Sequence, residues 1–278
     1  MARRGRRDRR SLVLRGRTGN AAGGGSESAR SLEGLILEGD LPIILGAVCL
    51  GFFVKGITGM GGPMLSTPLI AAATSVEHAV VVVSFVNLFS NMALAWENRR
   101  SAPGLKWLLV PLLSAGAAGT IFGTWLLTEL DDRILSWVLA GVVAAYIVRF
   151  LARPDYKLSD ETARGLTIPV GLAGGVLTGG TSIGGPLFAT YLHGLRLERS
   201  RFVFVTATIF GVLSPIQLVV LASLGSFTPT RLSQALIVIL PVLVVLPLGM
   251  VLARRIPQRV FEYVVLVLLA YSAVQLVI

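Results

Sequence analysis

A short apolar stretch broken by glycine occurs twice in this chain, and nothing else in the sequence restricts the fold as much. Residues 51–63 read Gly-Phe-Phe-Val-Lys-Gly-Ile-Thr-Gly-Met-Gly-Gly-Pro, and residues 174–186 read Gly-Gly-Val-Leu-Thr-Gly-Gly-Thr-Ser-Ile-Gly-Gly-Pro. The offset is 123 residues, and over residues 51–69 eight positions are identical without a gap: Gly51, Gly56, Thr58, Gly61, Gly62, Pro63, Thr67 and Leu69. Both copies interrupt apolar sequence where a membrane helix would otherwise continue. A paired interruption in matching halves is the sequence sign of a transporter's binding site.

Composition agrees that lipid is the solvent. Of 278 residues, 54% are hydrophobic and 14% charged, with a mean hydropathy of +0.76, whereas soluble domains carry about 25% charged residues. The net charge of +10 is concentrated at one end, since residues 1–30 hold nine arginines against Asp8 and Glu27. The remaining body has 16 basic and 13 acidic residues. The Arg-, Gly- and Ser-rich tail over residues 1–40 is expected to be disordered. It suits an anionic lipid surface or lies upstream of the true start. A nucleic-acid role does not fit a chain whose body is apolar. Cys49 is the one cysteine, so neither an intrachain disulfide nor a cysteine metal cluster is possible.

Apolar segments then follow closely. Residues 41–57 and 62–73 flank the first break, and each is shorter than the roughly 20 residues of a comfortable span. Residues 76–96 come next, introduced by Thr74-Ser-Val-Glu77, a capping-box pattern with Thr74 as N-cap. Residues 107–127 follow, with Gly116, Gly119 and Gly123 thinning one face for close helix packing. Residues 134–151 complete the half. The order recurs as residues 166–180 and 186–193, 202–224, 232–252 and 260–277, so the body reads as two five-segment repeats, 41–152 and 166–278, joined by a basic linker at 153–165.

Loop charge orients the segments. Arg99, Arg100 and Lys106, the linker, and Arg254, Arg255 and Arg259 read as cytoplasmic; Glu129, Asp131 and Asp132 and the loop 223–230 read as external. Residues 76–96 then run inward and their counterparts 202–224 outward. The expected fold is an all-α polytopic membrane protein of two inverted repeats, with broken or re-entrant helices at the Gly-Gly-Pro turns.

The motif's chemistry suits a small anion. Glycines let the chain leave the helix, and Pro63 and Pro186 fit the first turn of a restarted one. A fresh helix N-terminus offers unpaired N–H groups and roughly half a positive charge. Two such ends, formed by Gly61, Gly62 and Pro63 and by Gly184, Gly185 and Pro186, would aim at one site. Hydroxyls gather around them: Thr58, Ser66 and Thr67 in one copy, Thr178, Thr181, Ser182 and Thr190 in the other. The alternative for glycines and small hydroxyls is tight helix packing. Lys55 is the charge within the first broken pair; it either completes an anion site or snorkels to an interface. Asn87, Asn91 and Gln217 either line the path or join helices by hydrogen bonds. His78 and His193 lie at segment edges.

These residues resemble the sulfite exporter TauE/SafE family, also called the toluene-sulfonate uptake permease family, from about residue 41 to the C-terminus. The resemblance rests on the duplicated elements ending in Gly61-Gly-Pro63 and Gly184-Gly-Pro186, the basic linker and the size. It implies a cytoplasmic-membrane protein that moves sulfur-containing or related organic anions such as sulfite, sulfonates or thiosulfate, with no cofactor. Within the chain there is no Walker A pattern to use ATP, and no His-Glu-x-x-His or Gly-x-Ser-x-Gly pattern for a membrane-embedded enzyme. A passive anion channel stands as the alternative, because helix N-termini also line channels.

Overall fold

The computed structural model describes residues 39–59, 61–152 and 157–252. Among these the chain forms nine α-helices and no strand: α1 Leu41–Thr58, α2 Gly62–Ala73, α3 Val76–Glu97, α4 Lys106–Glu129, α5 Asp132–Ala152, α6 Asp160–Thr181, α7 Gly185–Gly194, α8 Arg199–Ser223 and α9 Pro229–Leu252. A single 3₁₀ turn, Arg99–Ser101, links α3 to the loop before α4. The arginine-rich tail and the segment 260–277 lie outside the described residues.

Local chemistry decides one helix cap and moves two helix starts from where the apolar pattern puts them. The N-cap of α3 is Ser75, not Thr74: its extended backbone lets Oγ accept from the His78 N–H at 3.2 Å. Thr74 instead donates to the Ile70 carbonyl at 2.9 Å and closes α2. Glu77 does not fold back onto the cap but pairs with Arg231 at 2.8 Å. Helix α6 starts at Asp160 rather than residue 166, because Ser159 caps the Thr162 N–H and Asp160 and Glu161 occupy the first turn, where acids meet the positive end of the helix dipole. Helix α9 likewise starts earlier, at Pro229, with Thr228 accepting from the Arg231 N–H at 3.3 Å.

Two helix pairs touch backbone to backbone. Along α4 and α6, a Cβ on Gly119 would lie 2.2 Å from the Leu172 carbonyl oxygen, and one on Gly175 2.2 Å from that of Gly116. Only glycine permits such an approach, which replaces side-chain interdigitation by dispersion contact along the whole crossing. At the α1–α9 crossing, Gly56 and Gly249 face the carbonyls of Leu246 and Phe53 in the same way, each at 2.4 Å. The third close pairing is α3 with α8. Val80, Val81, Val82 and Val83 of α3 are all fully buried, and a helix apolar on every side belongs at the centre of a bundle.

The outer faces are apolar too. On α9 Leu240, Val244 and Val251 are 61–70% exposed, and α4 shows Phe122 and Trp125 outward. Five helices, α1, α3, α4, α8 and α9, are long and apolar enough to cross a membrane. The molecule is an integral membrane protein, with apolar side chains turned to lipid and its polar residues inward.

Each end of the bundle is marked by polar contacts. At the start of α3 the Val76 N–H donates to Asp132 Oδ1 at 2.9 Å, beside the Arg231–Glu77 pair. At the other end the Arg164 guanidinium lies 5.6 Å from the Trp107 ring centroid, and the Leu158 N–H donates to the Gly194 carbonyl at 2.9 Å.

Candidate functional site

The chain leaves the helix twice near the middle of the bundle. Helix α1 ends at Thr58, with Gly59 in the left-handed region (φ 82°) donating its N–H to the Lys55 carbonyl at 2.8 Å. Gly61, also left-handed at φ 97°, leads into α2, whose first turn is Gly62-Pro63. Helix α6 ends in the same manner: Ser182 is left-handed (φ 58°), and its N–H reaches the Thr178 carbonyl at 2.8 Å. Gly59 and Ser182 are themselves 123 residues apart. Gly184 then precedes the Gly185-Pro186 turn of α7 in ordinary right-handed conformation.

One cavity of about 80 Å³ lies between the two restarts and touches both, at Gly61, Pro63 and Met64 on one side and Gly185 and Pro186 on the other. That is space for several waters or one small polyatomic anion. The first N–H groups of α2 and α7 lack carbonyl partners within their helices, so two positive helix ends border the same space.

Lys55 lines this cavity and is 2% exposed. Its ammonium position donates to Asn87 Oδ1 at 2.7 Å and Ser90 Oγ at 2.9 Å, and lies 5.2 Å from the Phe52 ring centroid. The side chain turns inward to α3 rather than out to an interface. Asn87 is held in turn by the Asn91 side-chain amide at 2.8 Å, and donates to Ser214 Oγ at 3.3 Å. Asn87 and Asn91 both line the cavity, one helical turn apart on α3.

The other expected residues divide clearly. Thr58 and Ser182 lie on the cavity wall with Lys55 and the two prolines. Thr178, Thr181, Gly62 and Gly184 stand behind it. Thr178 Oγ1 donates to the Gly174 carbonyl at 2.7 Å, and Thr181 Oγ1 accepts from the Ile183 N–H at 3.2 Å. Thr67 is fully buried within α2 packing, off the wall. Gln217 is also off the wall: its side-chain amide donates to the Thr178 and Gly179 carbonyls at 2.8 and 3.0 Å, and accepts from Ser84 Oγ at 2.8 Å. These carbonyls lie in the last turn of α6, and Gln217 adds a donor to each beside the Ser182 N–H on Thr178 and the Thr124 hydroxyl on Gly179.

Three comparisons bear on what this arrangement is. A family model described as Sulfite exporter TauE/SafE matches residues 43–276. The chain belongs to the sulfite exporter TauE/SafE family. No curated protein and no solved structure matches it. The TauE/SafE match spans all nine described helices but the first residues of α1, so both broken pairs lie inside the family domain. That family is one of transporters, in line with the five candidate spans and with a cavity enclosed by helix ends. Among the described residues no group of His, Cys, Asp and Glu could hold a metal ion.

Sequence reasoning did not find Thr206 and Phe210 of α8, Ile183, or Ser90, the second acceptor of Lys55. Ser90 had a signal. Ser84, Asn87 and Asn91 recur at helical spacing in an otherwise aliphatic helix, and Ser90 continues that stripe. Thr206 had none, because its hydroxyl bonds the Phe202 carbonyl at 2.8 Å, as a threonine on any apolar helix does.

Proposed function

We propose that this protein is a secondary transporter of the cytoplasmic membrane that binds a small anion, sulfite or another sulfur-containing or organosulfonate anion, between the two Gly-Gly-Pro restarts. The observation that carries this reading is the shared cavity with Lys55 on its wall. A cavity flanked by two helix N-termini and one lysine favours an anion in all its electrostatics. In this reading the N–H groups of Met64 and Leu187, the Ser182 and Thr58 hydroxyls and Lys55 contact the anion's oxygens. The backbone suits an oxyanion of varied shape, because it offers several donors at fixed positions.

The mechanism proposed is alternating access with one repeat moving against the other. Two inverted repeats, residues 41–152 and 166–278, are favoured by the packing. If α1 corresponds to α6, α2 to α7, α3 to α8 and α4 to α9, then the α1–α9 and α4–α6 contacts exchange and α3–α8 maps onto itself. The glycine contacts at Gly56–Gly249 and along α4–α6 support the same correspondence. Loop charge supports placing the Arg164–Trp107 end in the cytoplasm.

Uptake of sulfite, thiosulfate and methanesulfonate by reconstituted vesicles tests this. A carrier gives saturable flux and counter-exchange; ohmic single-channel currents would sink it in favour of a channel. Gly185→Leu is the sharper site variant, since a Cβ there meets only Phe210 at 3.9 Å and the added side chain enters the cavity. It should abolish uptake with insertion and folding intact. Undiminished uptake would mean that the cavity is not the site.

A further inference from the structure

We propose that Lys55 is the proton carrier of the transport cycle: a neutral amine in the empty cavity, it takes up one proton as the anion enters, so that anion and proton cross together. The inference rests on the anion site proposed above. Its first ground is the absence of a counter-ion among the described residues. Lys55 is 2% exposed, and its two partners, Asn87 and Ser90, are neutral. An ammonium removed from water without an opposite charge is strongly disfavoured.

Among the described residues, the charged groups of the neighbouring elements lie elsewhere. Helix α2 carries none; α3 carries Glu77, His78 and Glu97, all in its terminal turns, and α9 carries Arg231 in its first. Glu77 is engaged by Arg231 and His78 by Gln234, and ten residues of α3 separate Glu77 from Asn87, about 15 Å. Across the cavity, Asp160, Glu161 and Arg164 of α6, His193 of α7 and Arg199 and Arg201 of α8 also sit near helix ends. Among the described residues Lys55 is the one ionisable side chain on the cavity wall.

The second ground is donor count. A neutral amine has two N–H groups and a lone pair. Asn87 Oδ1 and Ser90 Oγ accept both N–H groups, which leaves the lone pair for the cavity. A proton taken up there becomes the third N–H of an ammonium, directed at the space where the anion binds. The anion is then the missing counter-ion, while the Phe52 ring at 5.2 Å favours the cation without replacing one. One proton from the aqueous side adds to the amine and matches one negative charge of the anion, so methanesulfonate crosses with no net charge and the dianion thiosulfate with one, and proton and anion both leave on the far side. Anion and proton binding strengthen each other reciprocally. Where the empty lysine is neutral, anion affinity should fall about tenfold per unit rise in pH.

The test uses the full-length protein in vesicles holding a pH-sensitive dye, with the membrane potential clamped. Thiosulfate and methanesulfonate carry no proton of their own near neutral pH, so proton movement with them reports the protein. The expected result is dye acidification that accompanies uptake, together with uptake accelerated several-fold by an imposed pH gradient. Lys55→Arg cannot lose its proton and should bind anion with no pH dependence between pH 6 and 9, while coupled uptake is lost. Should that variant misfold, the wild-type dye signal decides by itself. Anion entry without protons, or wild-type affinity that is flat with pH, overturns the proposal and leaves the site reading standing. If none of the anions enters, the site reading fails and this inference falls with it.

Discussion

The two breaks share a sequence motif and are built on opposite principles. The first, between α1 and α2, is open. Nothing lies within 4 Å of where a Gly61 Cβ would stand, and Lys55 supplies charge a few residues earlier. The second, between α6 and α7, is neutral, and closed at Gly184, the position matching Gly61. A Cβ on Gly184 would meet Thr178 Oγ1 at 2.0 Å and the Gly174 carbonyl at 2.6 Å. Gln217 and Ser84 brace its carbonyls and the Ser182 hydroxyl. At the position matching Lys55 stands Thr178. At these matching positions glycine is thus required for backbone conformation at Gly61 and for space at Gly184. The two copies share a left-handed residue at the helix end, Gly59 and Ser182, and differ at Gly61 and Gly184 and in the side chains around them, one break holding charge and the other shape.

Substitutions at the glycines separate these principles most strongly. Gly184→Ala has no conformational penalty, since φ is −78°, but it forces a methyl into a hydroxyl and a carbonyl. It should destabilise the protein by about 3 kcal/mol, seen as a large fall in the thermal unfolding midpoint in detergent. Gln217→Leu should come next. It removes the side-chain hydrogen bonds to the Thr178 and Gly179 carbonyls and the acceptor of the Ser84 hydroxyl, at about 2 kcal/mol, and the same unfolding experiment reads it. Gly61→Ala meets no atom and bears only the cost of φ 97°, about 1 kcal/mol. If it proves more damaging than Gly184→Ala, the contrast between the breaks is wrong.

The smallest effect is expected at Ser182→Gly. Release of a left-handed serine gains about 1 kcal/mol and loss of the Ser84 and Gln217 contacts to its hydroxyl removes a similar amount. Stability should therefore change little, whereas anion affinity should weaken if the hydroxyl binds substrate. Measuring both on one preparation tells a structural serine from a binding one.

Much of this was legible in the chain. Glycine and proline act locally, through φ and a missing N–H, so the restarts at Gly62 and Gly185 follow from the residues themselves. The apolar runs set most helix ends within a few residues for the same reason: lipid leaves the backbone no partner but its own helix. The glycine row Gly116, Gly119 and Gly123 marked a close-packing face, although not its partner. The misassigned cap of α3 and the misplaced start of α6 trace to single capping hydroxyls, Ser75 and Ser159: the first has a threonine beside it that looks as plausible in sequence, and the second lies in polar sequence ahead of the apolar run.

The pairings needed the third dimension. Nothing local says that α4 lies along α6 or α1 along α9, because the atoms that meet there are backbone carbonyls, identical in every residue. Whether Lys55 reaches lipid or the interior is likewise undecided by its neighbours in sequence. It depends on Asn87 and Ser90, brought within 2.9 Å because α2 and α9 each pack against both α1 and α3. Sequence alone determined a duplicated, twice-broken membrane chain of the TauE/SafE kind. Only the tertiary structure decided that both breaks open on one cavity and that a buried lysine, with no counter-ion among the described residues, faces it.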